Sequence, residues 1–240
     1  MVQAVKCIAL RTVKVADSRN LLSVWTAGDG RLSFAVAAGH GREAARRRAL
    51  MSPLATFEAV ADIRPQRAIH TLRDVAPLPN SLAFAASPVK TANAQFLADA
   101  LDVLLRQSPP DEDLSDFLFD AVAHFAAAEG AATANFNASF FYHLTYFLGI
   151  SPNLEGEGSV FDLRSGSLAP APPLHPDYVA GDDCDALRAL ARVPLRHCGM
   201  LRIPRADRAR ALDTILRYYS IHIAPLDSLA SLAIVRSLFT

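Results

Sequence analysis

The sequence predicts an α+β protein: a five-stranded closed barrel at the N-terminus, then an all-α region interrupted by a small β-hairpin. Three observations predict it. Short runs of β-branched and small apolar residues recur through residues 1–75 with turn signals between them. From about Thr91 the apolar spacing changes to i, i+3, i+4, i+7, the period of an amphipathic helix. At residues 150–180 proline and glycine become frequent and all periodicity is lost. The expected division is therefore a barrel domain over residues 1–78 and a helical domain over 79–240, with residues 150–180 an irregular excursion from the second.

The barrel strands are expected at residues 5–13, 21–26, 32–38, 54–60 and 69–75. The second contains the single tryptophan, Trp25, and a Gly28-Asp29-Gly30 turn joins it to the third. No convincing helix is evident in this part. Five short strands in so few residues point to the OB-fold, which binds oligonucleotides on a strand face. Beyond it, residues 91–107 place Phe96, Leu97, Ala100, Leu101 and Leu104 on one helical face, and residues 111–128 do the same with Leu114, Phe117, Leu118, Val122 and Phe125. Asp111, Glu112 and Asp113 suit the positive end of that second helix dipole. Thr133 is the expected cap of a third helix, with Phe136, Phe140, Leu144 and Phe147 as its core stripe and Gly149 at its end. A hairpin is expected over residues 159–169, turning at Arg164-Ser165-Gly166. Helices follow over 185–192 and from Pro204 to about Tyr219, the latter with Ala209, Leu212, Ile215, Leu216 and Tyr219 facing inward; Asp227 is expected to cap a last one.

Half the residues are hydrophobic (51%) and a fifth charged (20%), the balance of a globular chain. Cys7, Cys184 and Cys198 are few, odd in number and lack C-x-x-C spacing, which argues against a disulfide framework or a four-cysteine zinc site and fits a reducing, intracellular home. The start of the chain meets charge too early for a signal peptide. Residues 130–154 carry no formal charge but hold Asn135, Asn137, His143 and Pro152, so no membrane span is expected.

A net charge of zero hides a polarity. Residues 1–75 hold 12 Lys/Arg against 6 Asp/Glu, residues 76–160 hold 2 against 10, and residues 161–240 hold 10 against 8. A basic front suggests an anionic partner there, with the acidic middle turned away from it. The focus is Arg42, Arg46, Arg47 and Arg48, read as a loop after the third strand, with only Glu43 among them. Lys6, Arg11, Lys14, Arg19 and Arg31 lie on or beside the strands and extend the cationic surface. Trp25 and Phe34 could stack on bases or fill the barrel core. Arg202, Arg205, Arg208 and Arg210 crowd the start of a helix, against the sense of its dipole, and so invite a functional role.

Enzyme signatures are thin. Asp182, Asp183 and Asp185 are residue types that hold Mg²⁺, but they also suit a helix N-terminus; His197-Cys198 are sequence neighbours, which rarely form a catalytic pair; His40 sits between glycines as a loop residue; and there is no G-x-x-x-x-G-K-[ST]. A protein-interaction adaptor with weak DNA binding and a metal-dependent nucleic-acid enzyme are the alternatives to a DNA-binding protein.

Four stretches, in order and spacing, resemble the bacterial RecO family of recombination mediators. They are A-V-K-C-I-A-L-R-T-V-K-V-A-D-S-R-N-L-L-S-V-W-T, then G-R-L-S-F-A-V-A-A-G-H-G-R, then A-N-F-N-A-S-F-F-Y-H-L-T-Y-F-L-G-I, and R-A-L-D-T-I-L-R-Y-Y-S-I-H-I. The resemblance is to the zinc-free members, since residues 151–170 lack the two C-x-x-C pairs that others carry. It implies no zinc or other cofactor, with the 161–168 hairpin held by packing alone. It also implies a non-enzymatic DNA repair and recombination protein of the cytoplasm, associated with the nucleoid. Such a protein binds single- and double-stranded DNA, anneals complementary strands and works with RecR and, in the RecFOR pathway, loads RecA. It docks the acidic C-terminal tail of single-strand-binding protein, for which Arg202, Arg205 and Arg208 are the expected rim.

Overall fold

A computed structural model describes residues 2–39, 41–64, 66–79 and 81–238; His40, read as a loop residue, lies outside them. Five strands, β1 (Val2–Ala16), β2 (Arg19–Thr26), β3 (Gly30–Ala37), β4 (Thr56–Asp62) and β5 (His70–Pro77), close into a barrel in the order β1-β2-β3-β5-β4. β1 is long enough to pair with both β2 and β4, and Leu10 is bulged out between Ala9 and Arg11, where the strand bends from one partner to the other. Val5, Cys7, Ala9, Leu22, Val24, Phe34, Val36, Phe57, Ala59 and Ala61 fill the interior, the alternate positions that a period of two demands. The β2–β3 turn works because Gly30 adopts φ +69°, a left-handed conformation, and the Thr26 hydroxyl donates to the Gly30 carbonyl at 2.8 Å.

One expectation fails inside this barrel. The arginine stretch is not a loop: Arg42–Leu50 forms helix α1 between β3 and β4. Arg, Ala, Glu and Leu are all good helix formers, but the segment has no apolar stripe to announce a helix. Leu50 and Met51 at its end are the buried anchors.

Contacts divide the chain into two compact units, residues 1–127 with 229–240, and residues 128–228. The first unit contains the barrel, a 3₁₀ turn at Ala83–Ala86, and helices α2 (Pro88–Leu104) and α3 (Glu112–Ala127). Ser87 caps α2 and Asp111 caps α3, the latter accepting from the Leu114 amide at 2.7 Å. Helix α7 (Ala230–Leu238) packs on α2; Asp227 lies in the turn before it and is not its cap.

The second unit is built round α4 (Ala131–Phe147), whose Phe136, Phe140, Phe141 and Leu144 are buried. Its N-cap is Gly130; Thr133 sits within the first turn, where its hydroxyl donates to the Ala128 carbonyl at 2.9 Å. Strands β6 (Val160–Asp162) and β7 (Ser167–Ala169) make the expected hairpin, and β8 (Tyr178–Ala180) adds a third strand on the other side of β6. The hairpin is not held by packing alone. Asp177 receives Arg164 and Arg217, the Asn153 amide donates to the Gly166 carbonyl at 2.7 Å, and His222 Nε2 lies 2.8 Å from the Leu163 carbonyl. Helix α5 (Asp182–Arg192) and α6 (Arg205–His222) complete the unit. The inward face of α6 is Ala211, Thr214, Ile215, Leu216, Tyr218 and Tyr219; Ala209 is exposed, because two residues before Ala211 is about half a turn round the helix, on the opposite face.

Candidate nucleic-acid interface

The barrel closes by a short parallel pairing, Phe34↔His70 and Ala35↔Thr71. Past those pairs β3 and β5 part, and α1 lies beside the opening. The result is a cleft of about 540 Å³ between β3, β5 and α1. Arg46 and Arg47 line it from the helix, Arg73 and Asp74 from β5, and Ala35 and Ala37 leave it open on the β3 side.

A backbone irregularity places the β5 pair. In a regular strand Leu72 and Asp74 would share one face and Arg73 and Val75 the other. The register slips instead between Val60↔Arg73 and Glu58↔Ala76, and Asp74 takes φ +51°, a left-handed conformation that Asp tolerates. Leu72 and Val75 therefore both pack on the barrel core while Arg73 and Asp74 are both exposed. The sequence expectation for the cationic surface omits Arg73; the one local signal there is Asp74 after it, a residue type that tolerates the left-handed region.

Helix α1 orients its arginines differently. Arg42 and Arg46 are exposed and Arg47 is partly buried. Arg48 donates to the Gly39 carbonyl at 2.7 Å, which ties the helix to the segment before it. Next to this cleft projects the tip of the β1–β2 hairpin, where residues 11–19 are all exposed. Arg19 sits opposite Ala37 in the β2–β3 ladder, at the rim of the cleft. Arg11 and Lys14 continue the line along β1, with Lys14 paired to Asp17 at 2.9 Å. In the β4–β5 connection Arg64 is paired with Asp62 at 2.8 Å, and the guanidinium holds that carboxyl below its ordinary value.

Part of the outer barrel surface is covered by helices. Ile8 and Trp25, cross-strand partners, are fully buried yet point away from the interior that Leu22 and Val24 fill. Trp25 Nε1 donates to Ser115 Oγ of α3 at 3.1 Å. Arg31 donates through Nε and Nη2 to Asp102 of α2 at 2.9 and 2.6 Å, and to Ser23 at 3.2 Å. Its side chain is 18% exposed and that of Asp102 3%. This guanidinium is a strut between barrel and helix, pinned by a carboxylate from the acidic midsection. Lys6 lies 5.5 Å from the centre of the Phe119 ring of α3 and faces Glu58 across the ladder. Trp25 and Phe34 are both buried to 0% exposure, so neither offers a ring to a base.

In the second unit Arg202 and Arg205 are exposed beside Met200, itself 70% exposed. Arg208 is partly buried and donates to Asn135 Oδ1 at 3.2 Å; burial, then the neighbouring Arg205 charge, lowers its affinity for its proton. The buried Asn135 amide donates in turn to the Cys198 and Leu201 carbonyls at 2.8 and 3.2 Å. Asp182, Asp183 and Asp185 occupy the first turn of α5. Asp183 is held by Arg210 at 2.7 Å and Asp185 by Arg188 at 3.4 Å. Among the described residues no group of three or more His, Cys, Asp or Glu is arranged to hold a metal, and no helix is long and apolar enough to cross a membrane. All three cysteines are buried and none forms a disulfide, and burial pushes the Cys7 thiol up to about 12 and raises Cys184 and Cys198 as well.

Residues 86–230 match the family described as Recombination protein O C terminal. The chain belongs to the RecO family. Curated relatives extend the likeness over the barrel. It is similar to the DNA repair protein RecO of Bacteroides fragilis, 29% identical over 242 residues that span the whole of both chains. The proteins of the same name from Phocaeicola vulgatus and Porphyromonas gingivalis are 26% and 27% identical, again over the whole of both chains. RecO family membership agrees with a closed five-stranded barrel followed by helices.

Proposed function

We propose that this chain acts in DNA repair as a non-enzymatic recombination mediator. It binds single- and double-stranded DNA, anneals complementary strands, and works with RecR and single-strand-binding protein to load RecA in the cytoplasm. The observation that carries this reading is the end-to-end likeness to proteins named DNA repair protein RecO, in a chain that exposes Arg11, Lys14 and Arg19 on β1 and β2 and brings Arg46, Arg47 and Arg73 to one cleft between barrel and α1. Annealing needs two phosphate backbones brought together without reading bases, which asks for cationic surface and no base-specific donors. Residues 1–78 are then the DNA-binding part and residues 79–240 the part that docks proteins. Arg31 and Lys6 are left out of the contact set, because one is pinned by Asp102 and the other sits over a ring. Exposed Met200, shortly before the exposed Arg202 and Arg205 and the half-buried Arg208, supports that site as the dock for an acidic peptide with an apolar end, the chemistry of the single-strand-binding protein tail.

Single-strand affinity measured across a salt series tests it. A mediator gives log K falling against log salt by about 0.7 per phosphate contacted, and clean protein anneals complementary oligonucleotides without ATP. Replacing Arg46, Arg47 and Arg48 by Ala flattens the slope by up to about 2, with Arg48 contributing least because its guanidinium already serves Gly39. Weak binding with a flat slope would favour the adaptor, and nuclease or ATPase activity in clean protein would overturn the non-enzymatic reading.

A further inference from the structure

The customary ligand face of a five-stranded OB barrel is the surface of strands 2 and 3. In this chain that surface is closed over Ser23, Trp25 and Arg31, which are tied to α2 and α3. A polynucleotide approaching the barrel must use another path. We propose that the cleft between β3, β5 and α1 seats a single polynucleotide strand by its phosphates, with Arg46, Arg47 and Arg73 as the contacts, and that duplex DNA rests outside it on the hairpin tip. This rests on the DNA-binding reading and specifies which strand goes where.

Size decides the strand type. A cleft of about 540 Å³ is that of a small-ligand site, ~300–1,000 Å³. It takes a nucleotide or two of extended chain. A duplex, whose major groove alone spans about 12 Å, is too thick to enter. Charge decides the contact. Three guanidiniums from two elements converge on the opening, and among the described residues neither Arg46 nor Arg73 forms an ion pair. The lining decides what is not contacted. Apart from the arginines and Asp74 the lining is apolar, Ala35, Ala37, Leu72 and Val75 among it, with no aromatic ring among the described residues on which a base could stack. Proteins that store single strands stack the bases on aromatic platforms. A seat that grips phosphates and leaves bases unstacked keeps them available to a complementary strand. Arg19, beside Ala37 at the rim, leads outward to Lys14 and Arg11, where a second backbone can lie.

The test compares one labelled mixed-sequence oligonucleotide with the duplex of the same sequence, both titrated against the full chain. Arg73→Glu and Arg46→Glu alter exposed side chains, and unchanged melting temperatures show that the variants fold. Each weakens single-strand binding about tenfold or more and duplex binding less than threefold. Ala37→Leu narrows the cleft without altering charge and weakens single-strand binding alone. Equal weakening of both ligands by the charge reversals, or no effect of any of the three variants on the single strand, overturns the seat while leaving DNA binding intact. Wild-type protein that binds neither ligand overturns the DNA-binding reading itself.

Discussion

Arg42, Arg46 and Arg73 in the first unit are exposed without an ion pair among the described residues, whereas in the second unit four of the nine arginines are paired with its own acids. There Arg164 and Arg217 share Asp177, Arg188 pairs with Asp185, and Arg210 bridges Asp183 and Asp207. Both regions look basic as sequence. The difference is where the carboxylates fall once the chain folds. Residues 161–240 carry 8 Asp/Glu for 10 Lys/Arg, nearly enough to neutralise themselves; residues 1–75 carry half as many acids as bases. A guanidinium already bonded to a carboxylate offers little to a phosphate, so local net charge predicts the interface better than an arginine count.

In the first unit Arg64 pairs with Asp62 at the surface and Arg31 with Asp102 in a mostly buried setting; breaking the Arg31 pair should have the largest effect of any single change considered. Asp102→Ala leaves a guanidinium that is mostly buried facing no acid. Removing one partner of a buried pair costs about 3–5 kcal/mol. Urea unfolding should show that loss with an unchanged slope, and duplex and single-strand affinity of the folded fraction should stay near wild type. Altered affinity at full stability would instead return Arg31 to the DNA surface.

Asp177 probes the self-neutralised side. Hydrogen bonds from Arg164 and then Arg217 hold its carboxyl below the ordinary aspartate value of 3.8. A folded-state value depressed in this way stabilises the fold above the unfolded value, and that contribution disappears as pH falls from about 3.8 through the folded value. Both partners are partly solvated, so the global effect is small. Asp177→Asn should speed amide exchange across β6, β7 and β8, leave the barrel's exchange unchanged, and abolish the acid-dependent opening of that hairpin. Equal exchange in wild type and variant would mean that Phe161 and Leu163, both buried, hold the hairpin without it.

Which parts of this were legible in the sequence follows from the range of the forces involved. The five strands, α2, α3 and the hairpin at Gly166 follow from patterns within a dozen residues, so they could be read. Helix α1 could not, because its residues carry propensity without an apolar period. The fate of each cation depends on partners far along the chain: Arg31 meets Asp102 71 positions away and Trp25 meets Ser115 90 positions away. No local pattern encodes those meetings. Trp25 is instructive, since strand alternation with Leu22 and Val24 already puts it on the outer face, where a sequence reader expects either solvent or ligand; the covering helices take that place. Asp74 was unreadable for the opposite reason: alternation from Leu72 already turns Arg73 outward, but the exposure of Asp74 beside it rests on a one-residue slip of register.

Asp74 gives the finest comparison, for it is the one carboxylate among the described residues that line the arginine cleft. In the second unit an acid among arginines neutralises them. Here the bulge leaves Asp74 exposed beside Arg73 with no ion pair among the described residues, so it sets a point in the cleft where a phosphate is disfavoured. Asp74→Asn keeps the left-handed backbone, since Asn tolerates positive φ as well as Asp does. It removes one repulsive charge and adds none. Screening by salt keeps the effect modest, about two- to fivefold tighter single-strand binding at low ionic strength, vanishing as the Debye length shrinks from ~10 Å at 0.1 M towards ~3 Å at 1 M. Duplex affinity should move less, because the duplex lies on the hairpin tip and not in the cleft. A variant that binds the single strand more weakly would show that Asp74 receives an amino group of a base, and that the cleft reads more than backbone.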